Sequence, residues 1–170
     1  MTHPIIVTGP QRAGSHIATH IIAQETGGVF VDELDYSLSL PPKAVVQAPF
    51  LLKSVLELSY IMPDATFAFM YRNPDDIVAS LKRIEWYKDY YKDESFYPVY
   101  VQHCYQTIDL LKQTLQPERW FDVHYESLMF HPSFVKDRTD FTVKQYLPDK
   151  PVGPTTWRND EYITAVKGRL

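Results

Sequence analysis

The chain has 170 residues, of which 45% are hydrophobic; that is enough to bury one α/β core, and a second domain of ordinary size is not expected. Its 17 Lys and Arg stand against 21 Asp and Glu, a formal net charge of −4, which excludes a general nucleic-acid surface because backbone-phosphate binding needs a basic patch. The single Cys104 cannot close an intrachain disulfide, no apolar run is long enough to span a membrane, and Met1-Thr2-His3-Pro4 leads into a strand without a signal-peptide pattern; a cytoplasmic protein without membrane attachment is the expectation.

In chain order, Ile5-Ile6-Val7-Thr8 is short and apolar enough for a buried parallel strand. It runs into Gly9-Pro10-Gln11-Arg12-Ala13-Gly14-Ser15-His16. The periodicity of Ile17 to Ile22 then predicts a helix from Ser15 to about Thr26, stopped by Gly27-Gly28. Val29-Phe30-Val31 reads as a short strand, Asp32-Glu33-Leu34-Asp35 as an acidic turn at its carboxyl end, and Tyr36 to Pro42 as a loop. Ala44 to Gln47 is a third strand. Phe50 to Ile61 is predicted helical, with Leu51, Leu52, Val55, Leu56 and Leu58 as its apolar face. Met62 to Ala65 turns into a strand over Thr66 to Tyr71. Helices are predicted from Asp75 to about Tyr87 and from Val99 to Leu115, and a last strand from Trp120 to His124. Beyond Met129, Pro132, Pro148, Pro151 and Pro154 break the pattern, which predicts an irregular C-terminal wrap from about residue 130 over a single domain. The alternation implies a three-layer α/β fold of the P-loop type, a central, mainly parallel sheet of about four to five strands flanked by helices.

The first loop has the build of a phosphate cradle. Feeding a helix N-terminus, it offers unpaired N–H groups and the positive end of the dipole to an anion. Gly9 and Gly14 keep the glycine spacing of nucleoside-triphosphate loops, yet Ser15 stands where their lysine would be and His16 where their magnesium-binding hydroxyl would be. A cation survives at Arg12. The loop therefore suits an anion held by backbone, Arg12 and Ser15, with no provision for a metal. A second signature follows the fourth predicted strand, at Arg72-Asn73-Pro74-Asp75-Asp76-Ile77-Val78-Ala79-Ser80. Pro74 fits a first helical turn, with Asp75 and Asp76 complementing the dipole. Arg72 sits at the carboxyl end of a strand, where open α/β sheets bind ligands. Ser80, about two turns along, is in reach of the same anion. The plainer reading of Arg72 is an ion pair with Asp75 or Asp76 at the helix start.

These residues resemble the P-loop-fold sulfotransferases. Gly9, Arg12, Gly14 and Ser15 match that family's first motif, which holds the 5′-phosphosulfate of 3′-phosphoadenosine 5′-phosphosulfate. The stretch Arg72 to Ser80 matches every fixed position of its second, Arg-Asn/Asp-Pro-x-Asp-x-x-x-Ser, which holds the donor's 3′-phosphate. Tyr125-Glu126-Ser127-Leu128, after a strand, matches a weaker third marker. The resemblance spans roughly the first three-quarters of the chain, and its second motif is the specific one. It implies a donor site formed by Gly9, Gln11, Arg12, Ala13, Gly14, Ser15, His16, Arg72 and Ser80. It also implies a small-molecule or carbohydrate acceptor and no metal. Three departures stand out. Ala13 and His16 replace hydroxyl residues, and Gln47 replaces the lysine of a Lys-x-Pro segment; a neutral amide can bond a sulfuryl oxygen but not balance its charge.

Sulfuryl transfer needs an in-line nucleophile, a base, and cations facing the leaving oxygen. Arg12, with His16 beside it, is the candidate for charge stabilisation. Glu33 is the first candidate base, followed by Asp35 and Asp32, because carboxylate-using relatives place theirs after the second strand; His103 and His124 are the histidine alternatives. Glu126 reads as a cap on backbone N–H groups. The aromatic run Trp86, Tyr87, Tyr90, Tyr91, Phe96, Tyr97 and Tyr100 either lines an acceptor pocket or packs the core, and positions 86, 87, 90 and 91 would share a face if helical. Two other readings stay open: a non-catalytic nucleotide-binding or assembly module, favoured by the three departures, and an ATP- or GTP-dependent kinase, disfavoured by Ser15 and His16.

Overall fold

The computed structural model describes residues 3–34, 39–87, 93–128 and 131. The elements are β1 (Ile5–Thr8), α1 (Ser15–Thr26), β2 (Val29–Asp32), β3 (Ala44–Gln47), a 3-10 helix (Pro49–Ser54) continuing into α2 (Val55–Ile61), β4 (Thr66–Tyr71), α3 (Pro74–Arg83), α4 (Phe96–Thr114), a 3-10 turn (Pro117–Arg119), β5 (Trp120–His124) and α5 (Tyr125–Leu128). The five strands form one sheet in the order β2-β3-β1-β4-β5, and every pairing is parallel. Parallel strands covered on both faces read as continuous apolar runs, and all four residues of β1 are buried. One core lies under α1 and α3, with Ile5, Val7, Ala68 and Met70 against Ile17, Ile21, Ile77 and Leu81. The other packs Ile6, Val46, Phe67 and Phe69 against Leu52, Val55, Ile108 and Leu111.

This order positions the site. From β1 the chain travels toward β2 at one edge, and from β4 toward β5 at the other, so β1 and β4 flank the topological switch point where such sheets bind ligands. The register Ile5↔Thr66 to Thr8↔Phe69 sets the loops after these two strands side by side. Among the described residues no helix is long and apolar enough to cross a membrane.

Three predicted helices differ in extent. The stretch expected as one helix from Phe50 starts instead as a 3-10 helix at Pro49 and becomes α-helical only at Val55. Ala48 N–H is held by the Val7 carbonyl at 2.8 Å and Leu51 N–H returns to Ala48 at 3.1 Å, an i to i+3 closure that winds the first turns tightly. The helix expected to reach Tyr87 ends at Arg83. There Glu85 and Tyr87 take positive φ of 50° and 54°, Trp86 N–H bonds back to Leu81 at 3.1 Å, and Tyr97 donates to the Trp86 carbonyl at 3.0 Å. Docking of the indole against Tyr100, centroids 4.6 Å apart, accompanies the break. Positions 86 and 87 lie beyond the end of α3, and positions 90 and 91 lie outside the described residues, as does the expected C-terminal wrap beyond His131. α4 begins three residues before its predicted start, where Asp93 accepts from the Ser95 amide and hydroxyl at 2.9 and 2.6 Å.

Candidate active site

The loop from Gly9 to Gly14 is held in conformations that few residues adopt. Gly9 and Gly14 have φ of 150° and 93°, and Arg12, with a side chain, has φ of 69°. A non-glycine residue in the left-handed region costs of order 1 kcal/mol and clusters at functional sites. Here it turns the Arg12 peptide so that its carbonyl meets the Arg72 Nη1 donor at 2.9 Å. Ala13 N–H closes the turn on the Pro10 carbonyl at 3.1 Å, and its methyl is fully buried, so this departure from a hydroxyl residue serves the core under α1. Gly14 is the N-cap of α1, and no side chain caps that helix. Its first-turn N–H groups and dipole are thus directed to the crevice, the arrangement that binds an anion.

The second motif meets the first through its side chains. Arg12 Nε donates to Ser80 Oγ at 3.1 Å, and Arg83, one helical turn beyond Ser80, donates to the same oxygen at 3.2 Å. Two guanidinium groups, one from the loop and one from α3, thereby meet on one buried hydroxyl, and Arg72 joins them through the Arg12 carbonyl. Collecting like charges costs Coulomb energy that a bound anion returns. Arg72 Nε is buried and has no partner among the described residues, a donor that an acceptor oxygen would satisfy. Asn73 caps α3, its side chain accepting from Asp75 N–H at 2.9 Å, and neither Asp75 nor Asp76 is needed to hold Arg72 in place.

Two further elements fix the distance between the halves. Tyr125 presents its ring to the Arg72 guanidinium, 4.2 Å from its carbon to the ring centroid, and the same ring lies against Gly14, where an added Cβ would come within 2.8 Å of Cε2. Glu126 accepts from Asn73 N–H at 2.7 Å. The Tyr-Glu pair of the third marker is thus a wedge and a clamp on both motifs. From α4, the Tyr100 hydroxyl accepts from Gln11 N–H at 2.9 Å, while the Tyr105 hydroxyl accepts from Arg72 N–H at 3.1 Å and donates to its carbonyl at 2.6 Å. Gly14→Ala is expected to lower stability by about 1–3 kcal/mol through overpacking against Tyr125, read as a shift in urea midpoint. Tyr125→Ala in the same chain should return part of that shift, and an unchanged Gly14→Ala midpoint would contradict the close approach.

The family model for sulfotransferases matches residues 19–135, most of the chain, including the whole second motif and the Tyr-Glu marker. The chain belongs to the sulfotransferase family. Among solved structures it is similar to the sulfotransferase domain from the curacin biosynthetic pathway, with a TM-score of 0.60 and 14% identity over 95% of this chain and 82% of that one; this likeness shows a shared fold. A gluconokinase from Sinorhizobium meliloti 1021 matches at a TM-score of 0.44 and 16% identity, over 72% of this chain and 82% of that one, too slight a likeness to bear on function. No curated protein matches the sequence.

The remaining candidates of this sulfotransferase-family chain are spread along the carboxyl edge. His16, on the first turn of α1, has Nδ1 2.7 Å from Gln47 Oε1 and Nε2 3.2 Å from His20 Nε2. Because an amide oxygen only accepts, Nδ1 carries the proton. The two departures from the family pattern are therefore bonded to each other. Ser15 is buried, its carbonyl accepting from Thr19 at 2.7 Å. Glu33 is exposed and directly follows β2 with φ of 62°. It lies on the same edge as the loop but two strands away, about 10 Å at ordinary strand spacing. Asp32 is also exposed and pairs in register with Gln47; Asp35 lies outside the described residues. His103 is exposed on α4, and His124, exposed at the end of β5, stacks on Tyr71 at 5.2 Å. Sequence reading missed Arg83, Tyr105 and the binding of Gln11 by Tyr100. Only Arg83, one turn beyond Ser80 on a helix, carried a local signal.

Proposed function

We propose that this chain is a sulfotransferase that moves a sulfuryl group from 3′-phosphoadenosine 5′-phosphosulfate to a hydroxyl or amine of a small-molecule or carbohydrate acceptor. The observation that carries this reading is the union of Arg12, Arg72 and Ser80 at the β1/β4 switch point, linked by the 2.9 Å and 3.1 Å bonds. The residues present fit the donor's two anionic ends. The uncapped N-terminus of α1, with Ser15 and Arg12, suits the 5′-phosphosulfate, and Arg72 with Ser80 suits the 3′-phosphate. When bound, the donor supplies sulfur that bonds to the acceptor oxygen or nitrogen as its bond to the 5′-phosphate oxygen breaks. Arg12 neutralises charge on the departing oxygen, Glu33 takes the acceptor's proton, and His16, fixed by Gln47, borders the loop where a second hydroxyl residue is usual. No metal is required by this chemistry.

Calorimetric titration with 3′-phosphoadenosine 5′-phosphate, its 3′-dephospho analogue, and ATP with and without magnesium tests the donor. Loss of the 3′-phosphate should weaken binding by about 1.5–3 kcal/mol for each charge-assisted bond. Equal affinities would remove Arg72 and Ser80 from the assignment, and tight magnesium-dependent ATP binding would favour a kinase. Arg72→Ala should abolish the discrimination. Because that guanidinium also holds the Arg12 carbonyl and faces Tyr125, Ser80→Ala is the companion variant, expected to lose part of the discrimination with the Arg72 contacts retained.

A further inference from the structure

A cleft of about 200 Å³ opens between the 3-10 helix after β3 and α4. Pro49, Phe50, Lys53, Trp86, Tyr100 and His103 are among the residues that line it. At its rim Phe50 is 57% and Tyr87 42% exposed, apolar area that gains on leaving water. An apolar cavity of about 150 Å³ holds a benzene ring, so this cleft has room for one ring with its substituents. Its aromatic walls offer the offset and edge contacts that flat rings favour. Among the described lining residues Lys53 is a cation and none is a carboxylate, which favours an acidic substituent on the ring.

The cleft is joined to the phosphate loop by one side chain. Tyr100 forms part of its wall, packs on Trp86, and carries the hydroxyl that receives Gln11 N–H. Burial pushes the pKa of this phenol far up, so it stays neutral and its hydroxyl keeps a proton while accepting from the loop. One turn and a half further along α4, Tyr105 holds both the amide and the carbonyl of Arg72. A ligand that orders α4 and Tyr100 thus orders the two segments that meet the nucleotide.

We propose that this cleft binds a single aromatic ring carrying a hydroxyl and an acidic substituent, and that Tyr100, as a positioning residue, couples its occupancy to the phosphate loop. Treating that ring compound as the sulfuryl acceptor rests on the function proposed above; its binding in the cleft does not. The probe is 4-hydroxybenzoate, titrated into the full chain alone and with saturating 3′-phosphoadenosine 5′-phosphate. The nucleotide should tighten binding of the probe at least fivefold, within the usual range of coupling between sites. Phe50→Ala, at an exposed position outside the core, should weaken the probe severalfold without changing nucleotide affinity, and Lys53→Gln should weaken it more than it weakens neutral phenol. Tyr100→Phe keeps the ring and should preserve binding of the probe to the free protein while erasing the fivefold gain. No binding at millimolar probe, or binding untouched by Phe50→Ala and Lys53→Gln, overturns the cleft assignment even if the nucleotide binds as proposed. Coupling undiminished in Tyr100→Phe overturns the positioning role. If the nucleotide itself fails to bind, the donor reading and the coupling fall together, while probe binding sensitive to Phe50 and Lys53 upholds the ring site.

Discussion

Arg12→Ala is expected to lower turnover by about 10²–10³, the scale on which one preorganised donor facing developing charge acts, while weakening 3′-phosphoadenosine 5′-phosphate binding by a much smaller factor. The asymmetry follows from where the side chain is held. Its Nε is committed to Ser80 and its carbonyl to Arg72, so the guanidinium is fixed before any ligand arrives and costs no reorganisation when charge shifts to the leaving oxygen. A group that meets charge appearing only in the transition state changes turnover, whereas one that binds the ground state changes both constants together. Measuring kcat alongside the nucleotide Kd separates the two, and parallel losses would recast Arg12 as a binding residue. Arg12→Lys is the control. It keeps the charge and loses the planar fork, and should fall between wild type and Arg12→Ala. Chelator should leave all of these rates unchanged, and a strict magnesium requirement would point to phosphoryl transfer.

The parts of this fold that were legible in the sequence are those whose signal is local. Ile5–Thr8, set between Pro4 and Gly9, and Thr66–Tyr71, with Pro63 and Pro74 a few residues to either side, are apolar runs of the kind that is buried on both faces of a parallel sheet. Gly27, at φ of 62°, stops α1 where the sequence places the stop. The end of α3 was not legible, because Ile84-Glu85-Trp86-Tyr87 contains no breaker. What turns the chain there is tertiary, the docking of Trp86 on Tyr100 and the bond from Tyr97 to its carbonyl. Likewise, the start of α2 carried no local sign of a 3-10 turn, and of its predicted apolar face Leu52, Val55 and Leu58 are buried and Leu51 half-buried while Leu56 is exposed.

The candidate site divides along the same line. Arg12, Arg72 and Ser80 were readable as two motifs suited to the two anionic ends of one donor, and the sheet order brings them together, since β1 and β4 are neighbours at the switch point. The Tyr125-Glu126 pair was visible as a marker, but its work, a ring between Gly14 and Arg72 and a carboxylate on Asn73 N–H, exists only once β5 lies beside β4. Tyr100 stood in the sequence as one of an aromatic run offered to an acceptor pocket or to the core, and Tyr105 gave no signal. They act on Gln11 and Arg72 across 89 and 33 residues, and nothing in a run of aromatics distinguishes a hydroxyl that holds a phosphate loop from one that faces water. His16 and Gln47 stood in the sequence as two separate departures; their 2.7 Å contact makes them one substitution in two places, in which an imidazole and its orienting amide occupy the ground of a hydroxyl and a lysine.

Glu33→Gln is expected to lower turnover by about 10²–10⁴, the usual worth of a positioned general base, and to leave the affinity for 3′-phosphoadenosine 5′-phosphate unchanged. The substitution keeps the shape of the side chain and removes its ability to take a proton. Glu33 suits the role by position, on the carboxyl edge that bears the loop and Arg72, at the end of a strand whose last residue pairs with Gln47. The sheet also sets a demand on the acceptor. With Glu33 two strands from β1, the proposed base and the loop can serve one reacting atom only if the acceptor bridges that span. His103 offers the competing geometry, since it borders the ring cleft beside Tyr100. The pair of variants decides between them. Turnover that survives Glu33→Gln and disappears in His103→Gln assigns the proton to α4, and places the acceptor's reacting atom over the cleft. Turnover that survives both substitutions, with nucleotide binding intact, removes both groups from the chemistry, and turnover absent from the unmodified chain toward hydroxyl and amine acceptors alike would make the chain a nucleotide-binding module built on the sulfotransferase fold.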